Sequence, residues 1–185
     1  MLGREHLPPG DEACIYVANH PSSLDFSLLL HLPPEPHLVP VASANIAALP
    51  GIGVLLRFCG AVFIKKKGIG TTALLLQAGK TLLDQGSSIA IFPEGTLKMH
   101  RPKMAGLSFK KGAIVLADQT KARIVPITLQ YPPELMAVGT RAGPISIIIH
   151  PAVSPRGDGD VDGLLREVEA TVLAPLMDPR LDSEK

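Results

Sequence analysis

The sequence predicts an α/β fold: a single domain with a mostly parallel, mixed sheet flanked by helices. Three observations carry this. Short apolar runs rich in Val and Ile alternate with longer stretches of helical period. Their order is largely β-α-β-α, which calls for parallel strands joined by crossover helices. The 185 residues are 46% hydrophobic and 19% charged, enough for one sizeable core and too apolar for a disordered chain.

The elements follow in order. The run 13–18 (ACIYVA) reads as the first strand and 22–32 as a helix, with Pro21 suited to a first helical position and Ser22 and Ser23 placed where early amides need acceptors. A strand is predicted over 37–43. The apolar stretch 44–58 has helical character but is broken by Pro50, Gly51 and Gly53. Strand 60–65, helix 71–85 and strand 87–92 come next. Helix 109–120 and strands 123–130 and 144–150 complete the sheet. A last helix over 161–176 carries Val161, Leu164, Leu165, Val168, Val172 and Leu176 near helical spacing, so it covers the sheet. Its preceding loop contains an Arg156-Gly157-Asp158 triplet of no functional weight. With no repeat or long linker, residues 1–185 read as one domain.

Composition removes several classes of function. Two cysteines, Cys14 and Cys59, each inside an apolar run, do not make a disulfide scaffold. The first residues lack the apolar core of a secretory leader. The apolar stretch 41–64 is interrupted by Asn45, Arg57 and the breakers, short of the roughly 20 apolar residues a spanning helix needs. The six histidines lack metal-ligand spacing, so no structural metal is expected. Aromatics are 4% and interleave no basic strip, which argues against nucleic acid. A mean hydropathy of +0.26 leaves apolar surface for a lipid or membrane face. Net charge is +1, yet residues 57–123 carry 12 Lys/Arg against 3 Asp/Glu. A basic middle between acidic ends suggests a local anionic ligand.

Ligands of open parallel sheets sit beyond the carboxyl ends of the strands, so the residues just after each strand matter most. The first strand runs into Asn19-His20-Pro21-Ser22-Ser23-Leu24-Asp25. A histidine with a carboxylate five residues on can act as a general base, the carboxylate fixing the tautomer and stabilising the imidazolium. The fourth strand runs into Phe92-Pro93-Glu94-Gly95-Thr96, followed by Lys98, His100, Arg101 and Lys103, then Phe109-Lys110-Lys111-Gly112 at a helix start. Cations and free amides there suit a phosphate.

Asn-His-x4-Asp, then Phe-Pro-Glu-Gly-Thr, then Phe-Lys-Lys-Gly-Ala and Ile-Val-Pro-Ile, in this order over residues 13–131, resembles the glycerolipid acyltransferases, whose best-known members are the lysophosphatidate (1-acylglycerol-3-phosphate) acyltransferases. The resemblance implies that His20 is the catalytic histidine and Asp25 its partner. Glu94, Gly95 and Thr96 match the family's acceptor-binding block, Gly60–Ile64 the second block and Val125-Pro126 the fourth. Two positions depart from the pattern. Lys66 stands where the second block usually ends in arginine, which keeps the charge and loses the bidentate fork. Leu97 and Lys98 stand where the third block usually continues Thr-Arg.

The implied reaction moves a fatty acyl group from a thioester, acyl-CoA or acyl carrier protein, to a lysophospholipid hydroxyl, with no other cofactor. A thioester is already activated, so no serine nucleophile is needed, and there is no Gly-x-Ser-x-Gly elbow. Lys98, Lys103, Lys110 and Lys111 are expected to hold the acceptor phosphate, with Lys65, Lys66 and Lys67 joining them or taking the donor's phosphates. Glu94 is expected on the acceptor's hydroxyl or on one of these cations. Segment 44–58 with Leu28–Leu32 is expected to form an exposed apolar face, giving peripheral attachment on the cytoplasmic side of a membrane. Family members usually carry an N-terminal anchor, where this sequence has about a dozen residues before the first strand.

Two rival readings exist. Gly68-Ile69-Gly70-Thr71-Thr72-Ala73 has the local form of a dinucleotide fingerprint, which would suit a nicotinamide-dependent oxidoreductase or nucleotide-binding module. It follows the third strand rather than the first and leaves the His20–Asp25 pair without a role. A catalytically silent lipid-binding member would not need His20, Asp25 and Glu94 together. Gly79-Lys80-Thr81 lies inside a helical pattern and is no phosphate loop.

Overall fold

A computed structural model describes residues 1–22, 25–32, 37–65, 70–95, 109–132 and 144–177. Six strands form one sheet: β1 (Ile15–Ala18), β2 (Leu38–Ser43), β3 (Val62–Ile64), β4 (Ser88–Ile91), β5 (Ile124–Gln130) and β6 (Ser146–Ile149). Their spatial order is β3-β2-β4-β1-β5-β6, with every pairing parallel except the antiparallel β5–β6 edge. Residues of β1 and β4 are buried throughout, because helices cover both faces of a parallel sheet.

Side chains alternate between the two faces. Ile15, Val17, Ile89, Ile91 and Ile124 pack under α3 (Thr71–Asp84), α4 (Gly112–Thr120) and α5 (Val161–Leu173). On the opposite face, Tyr16, Ala18, Ala90, Val125 and Ile127 pack under α1 (Asp25–Leu29) and α2 (Ile52–Phe58), through Phe26, Leu29 and Leu56. The apolar stretch after β2 divides into a 3-10 turn, Ala44–Ile46, and α2, with Gly51 at φ +78 before the helix. Within α3, Gly79 faces α4 so closely that a Cβ would lie 2.5 Å from Leu116. That explains this glycine by helix packing and leaves the Gly-Lys-Thr triplet no loop to form.

The helix expected over 22–32 is shorter. It spans Asp25–Leu29 and ends in tightening turns, with the His31 and Leu32 amides on the carbonyls of Leu28 and Leu29. Asp25, its first described residue, reaches back with its carboxylate to accept the Ser22 N–H at 2.9 Å.

The chain leaves β1 toward β2 through α1 on one face and leaves β4 toward β5 through α4 on the other. Adjacent strands β1 and β4 therefore send their connections in opposite directions. A crevice opens at their carboxyl ends, the topological switch point of the sheet.

Candidate active site

His20 and Glu94 stand at that switch point, two and three residues beyond the ends of β1 and β4. Asn19 makes the corner rigid. Its amide donates to the Leu129 carbonyl at 2.8 Å and its carbonyl oxygen accepts the Leu129 N–H at 2.7 Å. The side chain thus imitates one more peptide of the β1–β5 ladder while the main chain turns away. His20 follows, on the α1 face, with its ring stacked on Phe92 at 4.3 Å between centroids and 19° between planes. Its main-chain N–H donates to Glu94 Oε1 at 3.1 Å, which ties the two corners together.

His20 Nδ1 lies 2.8 Å from Asp25 Oδ2. A carboxylate acceptor fixes the proton on Nδ1 and leaves Nε2 as the basic nitrogen. The Asp25 side chain is fully buried, while that of His20 keeps 17% of its surface. Burial of a carboxylate is costly unless donors surround it. Besides His20 and the Ser22 amide, the Tyr131 hydroxyl donates to Asp25 Oδ1 at 2.5 Å. Tyr131 follows β5 and is half-buried. Burial, then the hydrogen bond to Asp25, push its phenol well above the ordinary tyrosine value, so it remains a donor.

The β4 corner is a turn closed by the Gly95 N–H on the Phe92 carbonyl, with Gly95 at φ +66. The Lys110 main chain returns to donate to the Pro93 carbonyl, and its side chain lies across Gly95. A Cβ at Gly95 would stand 2.5 Å from Lys110 Nζ, so glycine serves both the turn and the lysine. Phe109 anchors this return, buried and donating its N–H to Glu169 of α5. Beside the corner, between β2–β4 and α3–α4, lies a cavity of about 370 Å³ with an apolar floor that includes Val41, Leu75 and Ile91 and with Lys65 and Lys110 in its wall.

The expected site residues therefore divide. His20, Asp25, Glu94, Gly95 and Lys110 come together at the switch point. Glu94 is turned inward on the His20 amide by one oxygen rather than presented wholly outward. Lys111 is placed differently from its expectation: its ammonium stands 2.6 Å from Asp162 in the first turn of α5, where the carboxylate draws it. Lys66, Lys67, Thr96, Lys98, His100, Arg101 and Lys103 lie outside the described residues, as does Gly68 of the dinucleotide-like stretch. The described part of that stretch, Thr71 and Thr72, opens α3 and lines the cavity beside the β4 corner. Asn19 entered the sequence reading only as the neighbour of His20, and Tyr131 did not enter it. Position alone could have flagged Tyr131, since it immediately follows a strand. Among the described residues, no group of three or more His, Cys, Asp or Glu could hold a metal ion, and no helix is long and apolar enough to cross a membrane.

Residues 2–130 match the Acyltransferase family. The chain is 36% identical over 180 residues to a 1-acyl-sn-glycerol-3-phosphate acyltransferase of Chlamydomonas reinhardtii, covering 95% of this chain and 53% of that protein. It is 35% identical over 130 residues to 1-acyl-sn-glycerol-3-phosphate acyltransferase alpha of Ovis aries, covering 70% and 44%. This chain thus spans about half the length of these curated relatives. The crystal structure of the 1-acyl-sn-glycerophosphate acyltransferase PlsC of Thermotoga maritima superimposes with a TM-score of 0.73 at 26% identity, covering 94% of this chain and 68% of that one. A match over most of the chain, the same sheet and relatives at this identity lead to one assignment: the chain belongs to the Acyltransferase family.

Proposed function

We propose that this chain transfers a fatty acyl group from a thioester, acyl-CoA or acyl carrier protein, to the free hydroxyl of lysophosphatidate. The observation that carries this reading is the His20–Asp25 pair at 2.8 Å, set at the switch point beside the Glu94 corner. His20 Nε2 takes the hydroxyl proton as the oxygen attacks the thioester carbonyl. The tetrahedral intermediate collapses with cleavage of the C–S bond, and the proton passes from His20 to the leaving thiolate. Asp25 holds the tautomer and stabilises the imidazolium. No acyl-enzyme forms, and no cofactor beyond the donor enters.

Lys110, lying over Gly95, and Lys65 across the cavity are the described cations best placed for the acceptor phosphate. Lys66, Thr96 and Lys98 are assigned to the same task from sequence. Lys111 is assigned a smaller share, because Asp162 already occupies it.

The same reading includes peripheral attachment to the cytoplasmic side of a membrane. The α1–α2 cover buries Leu29, Leu32 and Leu56 against the sheet but leaves Leu30, Leu49, Val54, Leu55 and Phe58 exposed, Phe58 at 84%. Aliphatic and aromatic side chains displayed this way suit the edge of a lipid layer.

The deciding experiment incubates the purified chain with acyl-CoA or acyl carrier protein donors and a panel of lysolipids. Phosphatidate with stoichiometric thiol release is the expected result. Thiol release without lysolipid would make it a thioesterase, and no product with either donor would leave a lipid-binding member.

A further inference from the structure

We propose that Tyr131 is a positioning residue for the His20–Asp25 pair, holding Asp25 Oδ1 so that Oδ2 faces the imidazole and drawing off part of the carboxylate's charge. The inference rests on the reading of His20 as the base, and it assigns a task to a residue outside the His-x4-Asp motif. Among the described residues, three donors share the two oxygens of Asp25: Nδ1 of His20 and the Ser22 N–H on Oδ2, and the Tyr131 hydroxyl on Oδ1 at 2.5 Å. The first two come from the same corner as Asp25. Tyr131 alone arrives from elsewhere, 106 positions along the chain, from the end of β5. It thus fixes the corner against the sheet on the far side of β1, as Glu94 fixes it on the near side.

The electrostatic consequence has a definite sign. A hydrogen bond to a carboxylate disperses its charge, so less of it acts on the imidazole. With the hydroxyl gone, Asp25 stabilises the imidazolium more strongly and His20 becomes harder to deprotonate. Among the described residues, the ionisable groups beside the His20–Asp25 pair are Glu94 from the β4 corner and Tyr131 after β5, with Lys110 further off over Gly95. Tyr131→Phe keeps the ring and its packing and removes the hydroxyl that donates to Asp25, together with its contact to the Ser22 side chain.

The test follows the full chain from about pH 5 to about pH 9, the range in which an imidazole titrates. Two readouts are taken on the Tyr131→Phe chain: kcat/KM for lysophosphatidate, and the titration of the His20 imidazole by nitrogen NMR, identified by its loss in His20→Ala. The expected result is an upward move of both the acid limb and the NMR midpoint by roughly 0.5–1 pH unit, with the alkaline plateau within about threefold of the parent. An NMR midpoint that stays or falls overturns the inference. A midpoint that rises while the acid limb stays still upholds Tyr131 and removes His20 as the base, so the two readings fail separately. Should Tyr131→Phe not fold, ring-fluorinated tyrosine at Tyr16 and Tyr131, the two tyrosines of the chain, makes the phenol a stronger donor. The His20 midpoint must then fall, and an unmoved midpoint overturns the inference.

Discussion

Two carboxylates flank β1, and each is bound to a nitrogen base. Before the strand, Glu12 meets Arg123 in a bidentate pair through Nε and Nη2. After it, Asp25 meets His20. The first pair sits a third exposed on both sides, while the second buries its carboxylate completely. Arginine spends its fork on Glu12 and keeps its charge at every working pH, so that pair can only fasten. Histidine spends one nitrogen on Asp25 and keeps the other as a base. An ion pair is therefore a brace or a site according to what its cation has left over and what else surrounds its anion.

The contrast is tested most severely by His20→Ala. Turnover should fall about 10²–10⁴-fold, with a stability loss of about 1–3 kcal/mol because the buried Asp25 carboxylate loses one of its donors. Wild-type turnover in that variant would reduce the buried pair to a second brace. Asp25→Asn should lose comparable activity through the wrong tautomer. Asp25→Ala should in addition lose about 1–3 kcal/mol in a denaturant melt, since the Tyr131 hydroxyl and the Ser22 amide are left without their acceptor.

The two neighbouring lysines sharpen the same point at the level of binding. Lys110→Met should raise the half-saturation for lysophosphatidate by roughly 5–100-fold at modest cost to kcat, and much less for an uncharged acceptor. Lys111→Met should change it little, because Asp162 already holds that ammonium. Equal losses in the two variants, or on both acceptors, would show that neither lysine serves the acceptor phosphate.

The smallest effect is expected at the brace. Arg123→Ala should cost about 0.2–1 kcal/mol, the range for a solvent-screened pair, with kcat untouched. The hydrogen bond from Arg123 holds the Glu12 carboxyl below its ordinary range, with partial burial opposing it. A lowered carboxyl contributes stability above the unfolded-state value and loses it as pH falls through the lowered one. The gap between the parent and Glu12→Gln in a denaturant melt should therefore be full at neutral pH and close in acid.

All six strands were legible in the sequence, because a sheet covered on both faces needs apolar runs, and runs such as SSIAIF and RIVPITLQ admit little else. The pairing of His20 with Asp25 was legible too, since both belong to one corner. The contacts that were not legible join distant elements. Asn19 with Leu129 and Asp25 with Tyr131 depend on β5 lying beside β1, which no local pattern dictates. Lys111 reads like Lys110 in sequence, yet a helix start points one along Gly95 and the other at α5.

The amide clamp of Asn19 bears on time as well as shape. By occupying both main-chain groups of Leu129, it leaves this end of the β1–β5 ladder no frayed peptide from which opening could begin. The His20 corner then cannot loosen alone, and the Leu129 amide should exchange its hydrogen with solvent as slowly as those in the middle of the sheet. If the proposed acyl transfer holds, acceptors of different length would meet a histidine already in place, and length would act on steps other than the ordering of this corner.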